Sequence, residues 1–187
     1  MHVTDSGIAF EIIEKNLFRK SEERDILAVR QSYLVRLRHE TEMNHYSFRP
    51  VPGVSELIAD LRSMEGVCVC IATGGWRDAA LLKLRLVGIS AGDIPFASSD
   101  DSHGRESIML LAEERARVHK NCPAFSQVVY VADHVRDFLN ARKLDYAFVG
   151  LGSGKHAREL RLAGVTYIQP NFTDKGYFFR VLGMTKH

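Results

Sequence analysis

Apolar positions along the chain follow two different spacings after residue 49. Short unbroken apolar runs are typical of strands buried on both faces, as in a parallel sheet, and they fall at 67–72, 95–99, 128–132, 146–149 and 167–170. Between them, apolar residues recur at the helical spacing, which predicts helices at about 53–65, 76–87, 105–118, 138–144 and 155–163. This alternation predicts an α/β fold, a doubly wound parallel sheet with helices on both faces.

The first 48 residues instead predict two helices with no strand between them. Thr4 or Asp5 can cap the first helix, and Ser21 with the two glutamates that follow it opens the second. The positions expected to be buried are Ile8, Ile12, Ile13 and Leu17 in the first helix and Ile26, Val29, Tyr33, Leu34 and Leu37 in the second. The stretch with two prolines and a glycine that follows marks a boundary, which predicts a helical segment over 1–48 and an α/β core over 49–187.

Composition excludes several classes of protein. The 187 residues carry a formal charge of +2 without a basic block, which argues against nucleic acid or an anionic membrane as a partner. No apolar run has the length of a membrane span, and the first residues lack the pattern of a signal peptide. Three cysteines predict no disulfide framework, and Cys68 and Cys70, two apart in a predicted strand, are interpreted as core residues on one face. We therefore expect a soluble cytoplasmic protein with reduced cysteines.

Two aspartates follow the apolar run at 128–132. Asp133 comes at the carboxyl end of the predicted strand, where open α/β sheets bind their ligands, and Asp137 falls in the first turn of the next helix. Two carboxylates so placed suit Mg²⁺, which takes one or two of them and completes its shell with water and substrate phosphate. In the alternative, which stays open, Asp133 caps the helix and Asp137 interacts with the helix dipole.

The turn at 73–75 is the second informative stretch. Thr73 ends a predicted buried strand, and Gly74 and Gly75 precede a helix, so that backbone N–H groups and the helix dipole can hold a phosphate-sized anion. In the alternative, also open, this is a strand-to-helix turn in which Thr73 caps the helix. Arg105, which follows the strand at 95–99, can clamp a phosphate group.

Other polar stretches carry less weight. Asp100, Asp101 and His103 match no strong metal-ligand spacing and are interpreted as a solvated loop in which Asp101 or Ser102 caps the next helix. The glycine-rich stretch at 150–155 has three residues between its outer glycines, where a phosphate-binding P-loop needs four, and no Ser or Thr after its lysine. We therefore predict no nucleoside-triphosphate site there.

Together these stretches resemble the haloacid dehalogenase-like (HAD) superfamily of hydrolases, most closely its phosphoglycolate-phosphatase-like members. Thr73 is similar to the second motif of that superfamily, Arg105 to its basic third motif, and Asp133 with Asp137 to its acidic fourth motif. The resemblance implies that Thr73 and Gly74 bind the phosphoryl group and that Arg105 screens its charge. It also implies that Asp133 and Asp137 help to hold Mg²⁺ as the cofactor.

One part of the superfamily pattern is missing. Its first motif, an Asp-x-Asp-x-Thr sequence that supplies the nucleophile, has no counterpart in the 187 residues, and Asp5 lacks the second aspartate. Residues 4–8 resemble the middle of the superfamily's helical cap, so 1–48 is expected to be a partial cap in a chain that begins after the first strand. In the superfamily that strand lies centrally, between those ending at Thr73 and Asp133. We expect these two to pair directly, or a partner chain to supply a strand.

Two hypotheses about function follow. The first is a Mg²⁺-dependent phosphatase lineage acting on a small phosphate ester, in a chain that is truncated or degenerate. Such a chain is expected to be catalytically impaired, because transfer through an aspartyl-phosphate needs the attacking carboxylate. The second is a non-catalytic module, derived from the same fold, that binds phosphate or a protein partner. Exposed apolar cap and sheet surfaces also favour self-association as a homo-oligomer.

Overall fold

A computed structural model describes residues 4–44 and 48–183. Its helices are α1 (Asp5–Leu17), α2 (Glu23–Met43), α3 (Val54–Ser63), α4 (Arg77–Leu86), α5 (Arg105–Lys120), α6 (Val135–Lys143), α7 (Gly154–Leu162) and α8 (Lys175–Val181). Its strands are β1 (Ile71–Ala72), β2 (Phe96–Ala97), β3 (Val129–Ala132), β4 (Ala147–Leu151) and β5 (Tyr167–Gln169). The strands pair in parallel and alternate with helices, which confirms the predicted α/β class. None of the helices in these two ranges combines the length and apolar character needed to cross a membrane.

By compactness the chain divides into two units. Unit 1 comprises 1–49 and 70–119, and unit 2 comprises 50–69 and 120–187. Helices α1 and α2 therefore group with β1, α4, β2 and α5. The predicted division into a helical segment over 1–48 and a core over 49–187 stays a prediction beside this grouping.

Unit 1 is built on the parallel pair β1–β2, in which Ile71 lies opposite Phe96 and Ala72 opposite Ala97. One side of the pair packs against α5 through a small apolar cluster of Ala97, Ile108 and Ala112, with Ala72 and Leu111 at its margin. A second cluster joins α1, α2 and α4 around four buried side chains: Ala9, Leu37, Trp76 and Ala79. Helices α1 and α2 therefore pack against α4, the helix that follows β1, through this cluster.

The buried face of α1 differs from the predicted stripe. Ile8, Ile12 and Leu17 are exposed, whereas the face that contains Ser6, Ala9 and Ile13 is buried. The physical reason is the anchoring of the first turn, where Ser6 Oγ donates to the carbonyl of Ser99 at 3.0 Å and so sets the rotation of the helix. In α2 the predicted burial of Leu37 is confirmed, but Val29 is exposed.

Strand β1 is shorter than the apolar run that predicted it. In its ladder, Ile71 N–H donates to the carbonyl of Pro95, and Thr73 N–H donates to that of Ala97. Its partner strand β2 is two residues long, which limits the length of the pair. Cys68 and Cys70 therefore precede the strand, one half-buried and the other exposed, so the prediction that both are core residues of a strand is wrong.

Unit 2 contains a parallel sheet in the order β3–β4–β5. One of its faces carries an aromatic-rich cluster that also involves α3 and α8: Leu57, Val149, Phe172, Phe178 and Phe179. Gly53, the N-cap of α3, has a φ of +79°, and a Cβ there would lie 2.4 Å from the backbone of Phe172. Glycine is required at this position both by the left-handed backbone and by the close approach of the chain.

The position of β3 contradicts two predictions. It lies at an edge of its sheet, and Val131 is 37% exposed, so β3 is not buried on both faces. Strands β1 and β3 belong to separate sheets, so the prediction that they pair directly is also wrong. Residues 4–20 contain α1 and no strand, as the missing first motif led us to expect. A strand supplied by a partner chain stays a prediction.

Candidate functional site

The turn that follows β1 is held by its own threonine. Thr73 Oγ1 accepts a hydrogen bond from the N–H of Gly75 at 3.1 Å. The N-cap residue of α4 is Trp76, so the alternative in which Thr73 caps the helix is wrong. The hydroxyl and the two glycines instead form a tight turn directly before the helix, at the carboxyl end of a parallel strand.

Two carboxylates from distant parts of unit 1 meet the first amides of α4. Asp5 Oδ2 accepts from the N–H of Trp76 at 3.1 Å, and Asp100 Oδ2 accepts from the N–H of Arg77 at 2.6 Å. The N–H of Asp5 in turn donates to the carbonyl of Gly74 at 2.7 Å. The N–H groups that begin a helix have no intrahelical partner and favour negative charge, so carboxylates are well suited to them. In the structure the protein's own acids, Asp5 and Asp100, occupy the N–H groups where an anion site was predicted.

Trp76 lies at the centre of this region; from the sequence it was expected at most to shape a pocket beside the turn. Its side chain is 4% exposed, and its indole Nε1–H donates to Ser6 Oγ at 2.9 Å. Its ring lies 5.5 Å from that of Tyr33 on α2. The only sequence signal was a single tryptophan directly after a Gly-Gly turn, where a large side chain must either shield the turn or lie exposed.

The loop after β2 is bound to protein groups rather than simply solvated. Arg30 from α2 forms ion pairs with Asp78 at 2.7 Å and with Asp100 at 2.5 Å. Asp101 accepts from the N–H of Ser98 at 2.8 Å and pairs with Arg115 at 2.7 Å. The Arg115 guanidinium, through its hydrogen bond, is the main cause that holds the pKa of Asp101 below its ordinary value. Asp100, Asp101 and His103 are exposed, as expected for a solvated loop, and ion pairs also hold the two acids.

Arg105 is the first residue of α5 and is half-buried, in the same unit as Thr73 and Gly74. In the loop before α5, Asp101 pairs with Arg115, and Ser102 Oγ accepts from the N–H of Gly104. The capping of α5 by Asp101 or Ser102 stays a prediction. The carbonyl of His103, in the same loop, accepts from the hydroxyl of Thr4 at 2.9 Å. The loop that leads into Arg105 is therefore tied to the first turn of α1.

The two predicted metal ligands lie in unit 2 at the end of β3. Asp133 follows the strand directly and is exposed, whereas Asp137 is 6% exposed in the first turn of α6. The N-cap of α6 is His134, whose Nδ1 accepts from the N–H of Arg136 at 3.3 Å, so the alternative in which Asp133 caps the helix is wrong. Asp137 does lie where a carboxylate interacts favourably with the dipole of α6.

This pair fits a hard divalent cation that takes few ligands from protein. Asp133 is accessible at the carboxyl end of a strand, and Asp137 lies four residues further on at the start of α6. Mg²⁺ needs one or two carboxylates of this kind and keeps several waters. Over 4–44 and 48–183, no group of three or more His, Cys, Asp or Glu side chains could enclose a metal ion.

Two further features are the glycine-rich stretch at 150–155 and the side chain of Lys83. In the glycine-rich stretch at 150–155, α7 begins at Gly154, and its N-cap Ser153 makes no side-chain capping bond. Lys83 lies on α4 with Nζ 3.3 Å from the hydroxyl of Tyr33, a contact between helix surfaces.

Comparisons with known proteins define the class of fold. No protein-family model and no curated protein matches this sequence. The crystal structure of a hydrolase from Pseudomonas syringae is similar, with a TM-score of 0.64 and 21% sequence identity over 90% of this chain and 74% of that chain. At this identity the likeness shows the fold alone. The chain therefore has an α/β fold with parallel sheets that is shared with a hydrolase.

Proposed function

We propose that this chain belongs to the phosphohydrolase lineage of the HAD-like superfamily and binds a small phosphate ester with Mg²⁺. The observation that carries the proposal is the Thr73 turn, a hydroxyl and two glycines set between a parallel strand and the electropositive start of α4. The order of Thr73, Arg105, Asp133 and Asp137 along the chain supports it, as does a fold shared with a hydrolase.

Each residue has a separate task in this proposal. Thr73 Oγ1 and the backbone of Gly74 bind phosphoryl oxygens, and the Arg105 guanidinium balances their charge. Asp133 and Asp137 hold Mg²⁺, which supplies neutralisation of phosphate charge when it is bound. In this proposal the phosphate-binding residues lie in unit 1 and the metal-binding residues in unit 2.

The residues of this proposal account for ligand binding but not for the chemical step of hydrolysis. Phosphoryl transfer through a covalent intermediate needs a carboxylate oxygen that attacks phosphorus, and positioning cannot replace that atom. The 187 residues contain no Asp-x-Asp sequence, and none of the five residues above is assigned as a nucleophile. We therefore expect this chain to bind phosphate and Mg²⁺ and to hydrolyse the phosphate ester only slowly.

A second candidate is a non-catalytic binding module of the same lineage. The occupied amides of α4 favour it, because a site used in rapid turnover gains from N–H groups that are open to substrate. Here Asp5 and Asp100 satisfy two of them. The candidates differ in whether bound phosphate ester is hydrolysed.

Hydrolysis of an aryl phosphate with and without Mg²⁺ separates the two candidates. The chain is compared with Asp133→Asn and with Glu159→Gln, which removes one carboxylate from the surface of unit 2, where it pairs with Lys155 at 3.7 Å. Hydrolysis that needs Mg²⁺, survives in Glu159→Gln and is lost in Asp133→Asn would establish a phosphohydrolase. Absent hydrolysis would favour the binding module.

Binding is measured on the same proteins by calorimetric titration with inorganic phosphate. Thr73→Val removes the hydroxyl at nearly constant shape, and we expect affinity to fall at least about tenfold, the value of one good hydrogen bond to a charged group. Thr166→Val, at an exposed position of unit 2, is the control and should bind as the unaltered chain does. Equal affinity in Thr73→Val and Thr166→Val would refute the phosphate turn.

A further inference from the structure

Asp5 contacts the turn at 73–76, which we call the phosphate turn, through both its backbone N–H and its carboxylate. Its N–H donates to the carbonyl of Gly74 at 2.7 Å, and its carboxylate Oδ2 accepts from the N–H of Trp76 at 3.1 Å. A Cβ built on Gly75 would lie 3.4 Å from Thr73 Oγ1 and 3.5 Å from Asp5 Oδ2. The carboxylate oxygen and the hydroxyl that we assign to phosphate therefore border the same small space.

A phosphate group and this carboxylate compete for that space. Both are anions that prefer the start of a helix, and the N–H of Trp76 can direct its single proton to one acceptor at a time. Two negative charges a few ångströms apart in a partly buried site repel each other, because little water screens them. A phosphate bound at the turn thus requires Asp5 to leave.

We propose that Asp5 is a built-in competitor of the ligand, an autoinhibitory contact that phosphate must displace. The inference rests on the proposed function, since it concerns how the phosphate turn is regulated. Displacement moves more than one side chain, because Thr4 and Ser6 on the same turn of α1 donate to the carbonyls of His103 and Ser99. The first turn of α1 therefore moves as a unit when the turn after β1 accepts an anion.

Two residues beside the contact of Asp5 with the turn, Ser99 and Trp76, bear on the displacement of Asp5 by a ligand. Within the described residues, the buried hydroxyl of Ser99 has no hydrogen-bond partner, while its N–H donates to the carbonyl of Gly75 at 3.2 Å. A spare hydroxyl next to the turn can bind a ligand oxygen or a released backbone group. Trp76 reports on the event, since it is the single tryptophan of the chain and its indole N–H is bound to Ser6.

The test is a titration with inorganic phosphate, followed by calorimetry and by Trp76 fluorescence. Asp5→Asn removes the competing charge, and we expect phosphate affinity to rise about tenfold, the effect of one charge-assisted contact. Asp78→Asn is the matched control, because it also removes a carboxylate from the first turn of α4 but one that pairs with Arg30 and not with the N–H of Trp76. Its affinity should rise less than about threefold, through long-range charge alone.

In the unaltered chain, phosphate should shift Trp76 emission to longer wavelength in a saturable way, as the bond to Ser6 breaks and water reaches the indole. Asp5→Ser, which keeps a neutral oxygen for the N–H of Trp76, guards against loss of fold in Asp5→Asn and should also bind more tightly. Equal gains in Asp5→Asn and Asp78→Asn, or calorimetric binding without any change in emission, would overturn the competitor while leaving phosphate binding intact. Binding in none of the proteins would overturn both proposals.

Discussion

Two of the turns that connect a parallel strand to a helix, those after β1 and β3, have their helix starts capped in opposite ways. After β1, the first amides of α4 are bound by Asp5 and Asp100, which lie 71 and 23 residues away along the chain. After β3, the start of α6 is capped by its own neighbour His134, and Asp133 is exposed. We call the turn after β1 the closed turn, because remote side chains occupy its N–H groups. We call the turn after β3 the open turn, because its carboxylate is exposed.

The difference teaches what each turn can accept. An open turn with an exposed carboxylate admits a hydrated cation, since the metal can keep most of its water. A closed turn admits an anion only by displacing the protein's own acid, so that binding there is coupled to movement of α1. We therefore propose that a cation can reach the open turn directly, whereas an anion binds the closed turn only in exchange for Asp5.

The largest expected effect on stability comes from removing Trp76, the buried side chain beside the closed turn. Trp76→Ala deletes a buried side chain between α1, α2 and α4, and we expect a loss of about 3–5 kcal/mol of unfolding free energy. Val131→Ala beside the open turn, where the side chain is partly exposed, should cost below about 1 kcal/mol. Urea unfolding followed by far-UV circular dichroism measures both, and equal losses would contradict the contrast between the turns.

The second prediction compares one carboxylate from each turn. Asp100→Ala leaves the N–H of Arg77 and the guanidinium of Arg30 without this acceptor, and we expect a loss of about 1–3 kcal/mol. Asp133→Ala removes an exposed carboxylate and should stay within about 0.5 kcal/mol. The same urea titrations apply, and a larger loss in Asp133→Ala than in Asp100→Ala would reverse the assignment of closed and open turns.

The third prediction concerns pH. Because Arg115 and the N–H of Ser98 lower the pKa of Asp101 in the folded protein, this carboxylate stabilises the fold above its unfolded pKa of about 3.9. That contribution is lost as pH falls through the lower, folded pKa. The urea midpoint should therefore decrease as the pH falls below about 4, and less steeply in Asp101→Asn. Identical acid slopes in the two proteins would show that Asp101 does not contribute to the pH dependence.

Local patterns predicted the elements of this fold well. Glycine and proline punctuation located α3 and α4, and strong apolar runs located β3 and β4 to within a residue or two. The same patterns placed Asp133 at a strand end and Asp137 in the first turn of α6. Each of these features depends on residues that are close in sequence, which is where such patterns carry information.

The features that the sequence did not predict correctly have a common physical cause. The rotation of α1 is set by Ser6 bonding to Ser99, and the amides of α4 are satisfied by Asp5 and Asp100. These contacts join residues that are far apart in sequence, and no local spacing encodes them. Exposure of Val131 likewise depends on which strands flank β3, and that is a property of the sheet as a whole.

The smallest expected effect is at the cap of the open turn. His134 holds the N-cap position of α6 with an extended backbone, but its bond to the N–H of Arg136 is long at 3.3 Å. Serine is among the best N-cap residues, so His134→Ser should raise the unfolding free energy by up to about 1 kcal/mol. His156→Ser, at an exposed position of α7, is the control and should not stabilise. Destabilisation by His134→Ser would mean that the imidazole has a role at this turn beyond capping, next to the carboxylate that we assign to Mg²⁺.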